Sequence, residues 1–497
     1  MSGQINWGII GTGAIAQTFA RGLKASRTGT LLAVGSRIQE KAEKFGNDFG
    51  AQRRYASYDT LLADREVQAV YIATPHPEHA LWAIRAAEAG KHVLVEKPSA
   101  LNQWELQAMI EAAVANNVFL MEAFMYRCHP QTARLVELLK EKAIGEVRLI
   151  QAAFGFQAGF NAGSRLFSNE LAGGGILDVG GYTVSMARLI AGAASGKDYA
   201  DPIDVKGIAH LGQTGIDEWA VASLRFPGDI LAQLSTAVTL NQENVVRIFG
   251  STGRIFIPNP WVCDRNQPDI GKIVVQRNGQ EAVEISCPAA VTSFTLEADV
   301  FGAAVLAGRK QAPAPAMNWG DSLGNLRTLD AWRASIGLTY NSEKTENFPA
   351  VTIAGRALKV KSPPRIPHGS VPGLQQSVAR LVMGVDNQNA APHARAIFDA
   401  YFEAGGNCFD TAHVYGPGHA GNLGAWLRAR GVREQVVLIV KGAHTPDCTP
   451  AKLTEQLHIA LEQRIKTDYA DIYFLHRDNP EIPAGEFVDV LNEHLRA

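Results

Sequence analysis

Ile5-Asn-Trp-Gly-Ile-Ile-Gly11-Thr12-Gly13-Ala14-Ile15-Ala16 decides the fold of the first part of the chain. A short apolar run, Ile5–Ile10, ends at a Gly-rich turn, and a helical stretch follows through Ala25. Strand, turn and helix in that order make GxGxxA a dinucleotide-binding turn. Gly11 lets the chain turn tightly, and Gly13 removes a side chain where backbone must approach a pyrophosphate. Ala16 lets the helix sit close to the sheet. The N–H groups of Ala14 and Ile15 at the helix start then face the phosphates, with Thr12 between the two glycines. The residues call for NADP or NAD.

The pattern continues outward. Strands are expected at Leu31–Ser36, Val67–Ala73, His92–Glu96 and Phe119–Glu122, with helices between them. Nearly continuous apolar strands alternating with helices predict an α/β fold, a Rossmann doubly wound parallel sheet, over residues 1–123. After Glu146 the character changes. Val147–Phe156, Val205–Leu211, Glu218–Phe226, Ile230–Leu240, Val245–Ile257 and Lys272–Gln276 read as strands, several alternating apolar and polar residues. That pattern predicts an α+β domain over 124–345 with an open-faced, mainly antiparallel sheet. Residues 346–376 carry five prolines and read as a linker. From 377 to 497 a new β/α rhythm begins, with strands at Arg380–Gly384, Asn407–Thr411, Val436–Lys441 and Ala470–His476. It predicts a partial (β/α) barrel.

Composition narrows the function classes. A net charge of −2 provides no electrostatic footprint for nucleic acid or an anionic membrane. No apolar run reaches membrane-spanning length, and no signal peptide is visible, so a cytoplasmic enzyme is expected. The five scattered cysteines contain no CxxC pair and indicate neither a disulfide framework nor a zinc site. No metal is expected.

The polar residues at strand ends carry the chemistry. At the end of the second strand stand Ser36 and Arg37, with Lys41 one helical turn on. A hydroxyl and two cations suit an adenosine 2′-phosphate better than a bare ribose, so NADP is preferred over NAD. The alternative is that Arg37 and Lys41 are merely solvated. Thr74-Pro75-His76-Pro77-Glu78-His79 and Glu96-Lys97-Pro98 close the third and fourth strands on the edge where such folds bind ligands. Lys97 there can hold a substrate oxygen, although a lysine taken alone reads as a surface residue. Further on, Asp178 and Tyr182 are spaced i, i+4 and share one helix face. A tyrosine beside a lysine can donate a proton to a carbonyl oxygen as hydride arrives. The same pair also reads as a helix-capping Asp and a core Tyr.

These motifs occur together and in order, with Glu122-Ala-Phe-Met-Tyr-Arg127, His129-Pro130, Gly173-Gly-Gly, Met317-Asn-Trp319 and Leu329-Asp-Ala-Trp332. The set resembles the glucose–fructose oxidoreductase, inositol dehydrogenase and dimeric dihydrodiol dehydrogenase family (Gfo/Idh/MocA) over about residues 3–345. The resemblance implies catalytic roles for Lys97, Asp178 and Tyr182. Tyr182 would be proton donor or acceptor, as in the dihydrodiol and xylose dehydrogenase branch, because inositol dehydrogenases carry His there. It also places Thr74, Pro75, His76, His79, Glu96 and Arg127 with the cofactor. It implies hydride exchange with a sugar, polyol or related diol or carbonyl, and a homo-oligomer formed through the open sheet.

A second set lies in 377–497: Asp410, Tyr415, Lys441 and His476, each at or just past a strand end. In a β/α barrel that is the catalytic rim. The set resembles the aldo/keto reductase tetrad, residue for residue. That family folds as eight β/α units and this stretch supplies four, so it reads as the N-terminal half of such a barrel within a longer fusion, inactive alone. Two alternatives stay open: a bifunctional fusion whose aldo/keto reductase module reduces a carbonyl, and a non-catalytic NADP-binding sensor.

Overall fold

A computed structural model describes residues 3–263 and 270–496 of the chain. Two units are present, Met1–Tyr340 and Asn341–Ala497, and each is taken by itself.

The first unit begins with β1 (Ile5–Ile10), whose alternate side chains pack on both faces. Trp7 and Ile9 join Phe19 and Phe301 in the core. Next come α1 (Ala14–Leu23), β2 (Gly29–Gly35), α2 (Gln39–Phe49), β3 (Arg53–Tyr55), α3 (Tyr58–Ala63), β4 (Ala69–Ile72), α4 (His79–Glu88), β5 (His92–Glu96), α5 (Gln103–Ala115) and β6 (Leu120–Ala123). The strands form one sheet in the order β3-β2-β1-β4-β5-β6, with every pairing parallel. The order reverses at β1, the crevice where doubly wound folds bind ligands. Strand β3 escapes a hydrophobicity reading because Arg-Arg-Tyr is no apolar run. It is a half-buried edge strand, held by pairing to Ala33–Gly35.

The turn after β1 shows why glycine is required. Gly11 has φ of +103°, and a Cβ there would lie 2.7 Å from the Ala73 carbonyl oxygen. Gly13 is different: nothing lies within 4 Å of its missing Cβ, and it starts α1 without a side-chain cap. The first-turn N–H groups are therefore left for another acceptor.

The unit continues with α6 (Pro130–Lys140), β7 (Val147–Gly155), α7 (Gly181–Ala194), β8 (Asp204–Leu211), β9 (Asp217–Phe226), β10 (Ile230–Ala237), β11 (Val246–Gly250), β12 (Gly253–Ile257), β13 (Lys272–Arg277), β14 (Val283–Ser286), α8 (Ser293–Leu306) and α9 (Trp319–Ser335). Eight strands form a mixed sheet, β14-β13-β12-β11-β7-β10-β9-β8, in which only β7 and β10 run parallel. The stretch Val245–Ile257, read as one strand, is a hairpin that turns at Ser251-Thr252. One face of the sheet packs on α7, and the other exposes Ile208, Val221 and Leu231. Just before α7, Ile176–Gly180 forms a single wider π-type turn.

The second unit holds the β15–β16 hairpin (His368–Gly369, Val378–Ala379), β17 (Met383–Gly384), α10 (Ala391–Glu403), β18 (Cys408–Ala412), α11 (Pro417–Arg430), β19 (Val437–Gly442), α12 (Pro450–His458), β20 (Ile472–Leu475) and α13 (Ala484–Arg496). Strands β17 to β20 are parallel and in sequence order. The proline-rich stretch expected as a linker packs onto this unit. Phe348, Leu358 and Ile366 sit against the Phe398, Phe409 and Trp426 core, and Ile366 N–H donates to the Ala404 carbonyl. Its apolar residues outweigh its prolines, whose fixed φ suits an extended chain laid over a surface.

Gly11→Ala is expected to cost on the order of 1–3 kcal/mol through strain at positive φ. Thermal unfolding of the purified variant measures this.

Candidate functional site

A cleft of about 920 Å³ opens at the carboxyl ends of β1, β2, β4 and β5 and runs to the second sheet. It brings together Gly11, Thr12, Gly13, Ala14 and Ile15 from the turn, and Ser36, Arg37 and Lys41 after β2. Thr74, Pro75, His76 and His79 follow β4, Glu96 and Lys97 end β5, and Asp178 and Tyr182 come from the far side. Every cofactor residue expected from the sequence lines it except Arg127.

Arg127 is a correction. Its side chain is buried against Asp321, to which it is ion-paired, and it also donates to the carbonyls of Pro315 and Ser185. A guanidinium with its donors so engaged in the interior is not available to a ligand. It ties the segment after β6 to α7 and to the N-terminus of α9, where Asp321 lies in the first turn.

The dinucleotide half fits its residues. The uncapped start of α1 and the open space over Gly13 make a cradle for a pyrophosphate. The Thr74 hydroxyl is buried and has no partner. Arg37 is largely exposed and pairs with Glu78 at 3.0 Å. A surface pair of that kind is worth little, so the guanidinium can turn to a phosphate.

His79 sits between two loops. Its ring nitrogens lie 2.7 Å from the Pro98 carbonyl and 2.8 Å from that of Thr74. Burial lowers its pKa to about 4, so at neutral pH one nitrogen donates. His76, buried and beside His79, is lowered to about 3 and faces the cleft as neutral imidazole. Glu96 accepts from the Tyr71 hydroxyl and the Lys97 N–H, and burial raises its pKa.

Lys97 anchors the other half of the cleft. Its ammonium donates to the Asp178 carbonyl at 2.7 Å, lies 3.7 Å from Oδ1 of the same residue, and stands 5.2 Å above the Tyr182 ring. Burial would raise the Asp178 carboxyl, but Lys97 and Arg165 hold it at about 2. Arg165 reaches it at 2.7 Å. Asp178 is therefore an anion that holds two cations, and not a helix cap. Tyr182 is buried among Phe124, Phe154 and Trp261, and among the described residues its hydroxyl donates to Met125 Sδ alone, at 3.5 Å. Burial, then Glu96 and Asp178, push its pKa well above the usual phenol value, so it rests protonated.

Sequence reading missed the far wall: Phe154, Phe156, Asn244, Asn259, Trp261 and Arg165. Phe154 and Trp261 stack with ring centroids 5.7 Å apart, and the indole N–H donates to the Ala153 carbonyl. Only the Pro258-Asn-Pro260 break before Trp261 signals an irregular wall segment.

In the second unit, Lys441 donates to Asp410 at 2.7 Å and to the Tyr415 hydroxyl at 2.8 Å. Burial lowers the Lys441 pKa, but those two bonds outweigh it and raise it. The His476 ring stands 6.0 Å from Tyr415, and burial lowers its pKa. Among the described residues no cluster of His, Cys, Asp and Glu could hold a metal, and no helix is long and apolar enough to cross a membrane.

The comparisons agree with this geometry. Residues 5–124 match the oxidoreductase family with an NAD-binding Rossmann fold, and 132–256 match the Gfo/Idh/MocA C-terminal domain. Residues 381–496 match the aldo/keto reductase family. An uncharacterized oxidoreductase of Rhizobium meliloti is 36% identical over 67% of this chain and 96% of its own length. The trans-1,2-dihydrobenzene-1,2-diol dehydrogenase of Mus musculus is 29% identical over 68% of this chain and 99% of its own. KijD10, a 3-ketoreductase from Actinomadura kijaniata solved with NADP and TDP-benzene, is 28% identical with a TM-score of 0.58. It covers 67% of this chain and 98% of its own. The chain is an NAD(P)-binding oxidoreductase by fold and site. It belongs to the Gfo/Idh/MocA family, with an aldo/keto reductase-like segment at its C-terminal end.

Arg127→Ala is expected to destabilise the first unit by about 3–5 kcal/mol, since it breaks a buried ion pair. Denaturant unfolding measures it, and the NADP-to-NAD preference of the folded fraction stays unchanged.

Proposed function

We propose that residues 3–345 are an NADP-preferring dehydrogenase or reductase. It passes hydride between the nicotinamide and a sugar, polyol or related diol or carbonyl. The observation that carries this reading is the Lys97 ammonium, held between the Asp178 carbonyl and the Tyr182 ring at the mouth of the Gly11–Ile15 cradle. The named activities of the relatives, on a diol and on a ketone, support it. The domain division 1–123, 124–345 and 377–497 belongs to the same proposal, as does a cytoplasmic location. So does a homo-oligomer formed through the exposed face around Ile208, Val221 and Leu231.

The bound nicotinamide supplies the hydride donor or acceptor. The protein's residues do the rest. Gly11 to Ile15 receive the pyrophosphate, and Ser36, Arg37 and Lys41 receive the 2′-phosphate. In reduction, Tyr182 gives its proton to the carbonyl oxygen, and Lys97 steadies the negative charge that develops there. In oxidation Tyr182 first releases its own proton to solvent, with Lys97 lowering the cost of the phenolate, and the phenolate then takes the hydroxyl proton as hydride leaves. Asp178 fixes Lys97 through its main chain and balances its charge. Phe154 and Trp261 cover the substrate and exclude water.

A second reading concerns the second unit, on the observation that Lys441 already bonds both Asp410 and Tyr415. Tyr415 there would be the general acid of carbonyl reduction and His476 would orient the carbonyl.

The test is a screen of pentoses, hexoses, inositols and trans-diols, and of matching carbonyls, with NAD and NADP in parallel. Tyr182→Phe is expected to lower kcat by about 10²–10⁴, and a variant with full turnover would sink the assignment. Arg37→Ala should raise the KM for NADP about 10-fold or more and leave that for NAD within about 2-fold. Activity lost in Tyr415→Phe but kept in Tyr182→Phe would move the reaction to the second unit.

A further inference from the structure

The segment that carries Asp178 and Tyr182 begins at a run of three glycines, Gly173-Gly-Gly175, which has no side chains of its own with which to set its path. Three side chains from elsewhere in the first unit set it instead. The Tyr340 hydroxyl donates to the Gly173 carbonyl at 2.9 Å, and the Thr236 hydroxyl donates to the Gly175 carbonyl at 2.9 Å. Both grip carbonyls. The third is Asp217, the first residue of β9, whose Oδ2 accepts from the Ile176 N–H at 2.7 Å. Ile176 opens the wider turn Ile176–Gly180, whose start has no side-chain cap of its own. A helix start exposes unsatisfied N–H groups, and the oxygen of a buried carboxyl, whose pKa burial raises to about 7, accepts from one of them.

The fit is close. Asp217 is fully buried. Gly174 has φ of +108°, and a Cβ there would lie 2.2 Å from Asp217 Oδ1, so only glycine lets the carboxyl approach. Asp178 lies two residues past the bonded amide, and Tyr182 one turn further.

We infer that Asp217 is a positioning residue: from the neighbouring sheet it fixes where Ile176–Tyr182 begins, and so where the Asp178 carbonyl meets Lys97 and where the Tyr182 hydroxyl points. The inference rests on the proposed roles of Lys97, Asp178 and Tyr182. Asp217 does not line the cleft. Its influence runs through the backbone amides at the start of that turn, Ile176 above all. A displacement of the order of 1 Å at such a start is enough to spoil hydride and proton geometry.

The experiment compares Asp217→Ala, Asp217→Asn and Asp217→Ser in the full chain, with Tyr182→Phe alongside. Asp217→Ala should lower kcat about 10-fold or more and keep the KM for NADP within about 2-fold, because the Gly11–Ile15 cradle is untouched. A deuterium effect on kcat should grow as hydride transfer becomes limiting. Asp217→Asn keeps an acceptor oxygen facing Ile176 and should restore kcat to within about 3-fold of the parent. Where Asp217→Ala does not fold, the Asn and Ser variants carry the comparison. The shorter serine hydroxyl falls short of the amide, so only that variant should lose kcat. The inference is overturned by an unchanged kcat in Asp217→Ala or Asp217→Ser. It is also overturned by an Asn variant as impaired as these, or by a loss confined to dinucleotide binding. Inactive Tyr182→Phe with fully active Asp217→Ala rejects the positioning role alone. Active Tyr182→Phe rejects the reading beneath it.

Discussion

The contact that the first unit depends on is the packing of the Gly11 backbone against the carbonyl of Ala73. Strand β1 sits centrally between β2 and β4, and its end is where the strand order reverses. A side chain at that corner would push the turn away from β4. It would close the crevice that Thr74, His76 and Lys97 also border. The turn, the crevice and the approach of the far wall thus share one steric condition. His79 extends the condition sideways, since its ring fills the space between the carbonyls after β4 and β5 and donates to one of them.

What the sequence made legible follows from how far each determinant lies from its effect. The Rossmann strands are continuous apolar runs because helices cover both faces, and the Gly11–Ala16 turn is local. Both can be read in place. The short edge strand Arg53–Tyr55 has no pattern of its own and exists through pairing with β2. The hairpin at Ser251-Thr252 hides because strands on each side share one alternation. The cleft's far wall depends on sheet order: Phe154 on β7 meets Trp261 and Tyr182 only once β7 lies between β10 and β11. Arg127 misleads for the opposite reason. Its motif sits in line with cofactor residues, yet its partner, Asp321, is 194 positions away and holds it in the interior.

The two units reach a similar chemical arrangement by different routes. Each sets a lysine beside a tyrosine and an aspartate at the carboxyl end of parallel strands, where backbone dipoles and open loops favour polar ligands. In the second unit the lysine bonds the tyrosine hydroxyl directly. In the first it sits over the tyrosine ring, and the hydroxyl donates to Met125 Sδ instead. The phenol of Tyr182, buried beside two carboxylates, is thereby held in its protonated form.

One detail of Lys97 reaches further. Its short bond is to the main-chain oxygen of residue 178, while the carboxylate of that residue stands a full ångström more distant. A carbonyl oxygen is common to all twenty amino acids. The lysine's anchorage is thus written in the path of the chain and not in the identity of a side chain. A lineage could exchange the residue at 178, and with it the local charge and the grip on Arg165, without unmooring the lysine. The lysine's position and the charge beside it are thus set by different parts of one residue.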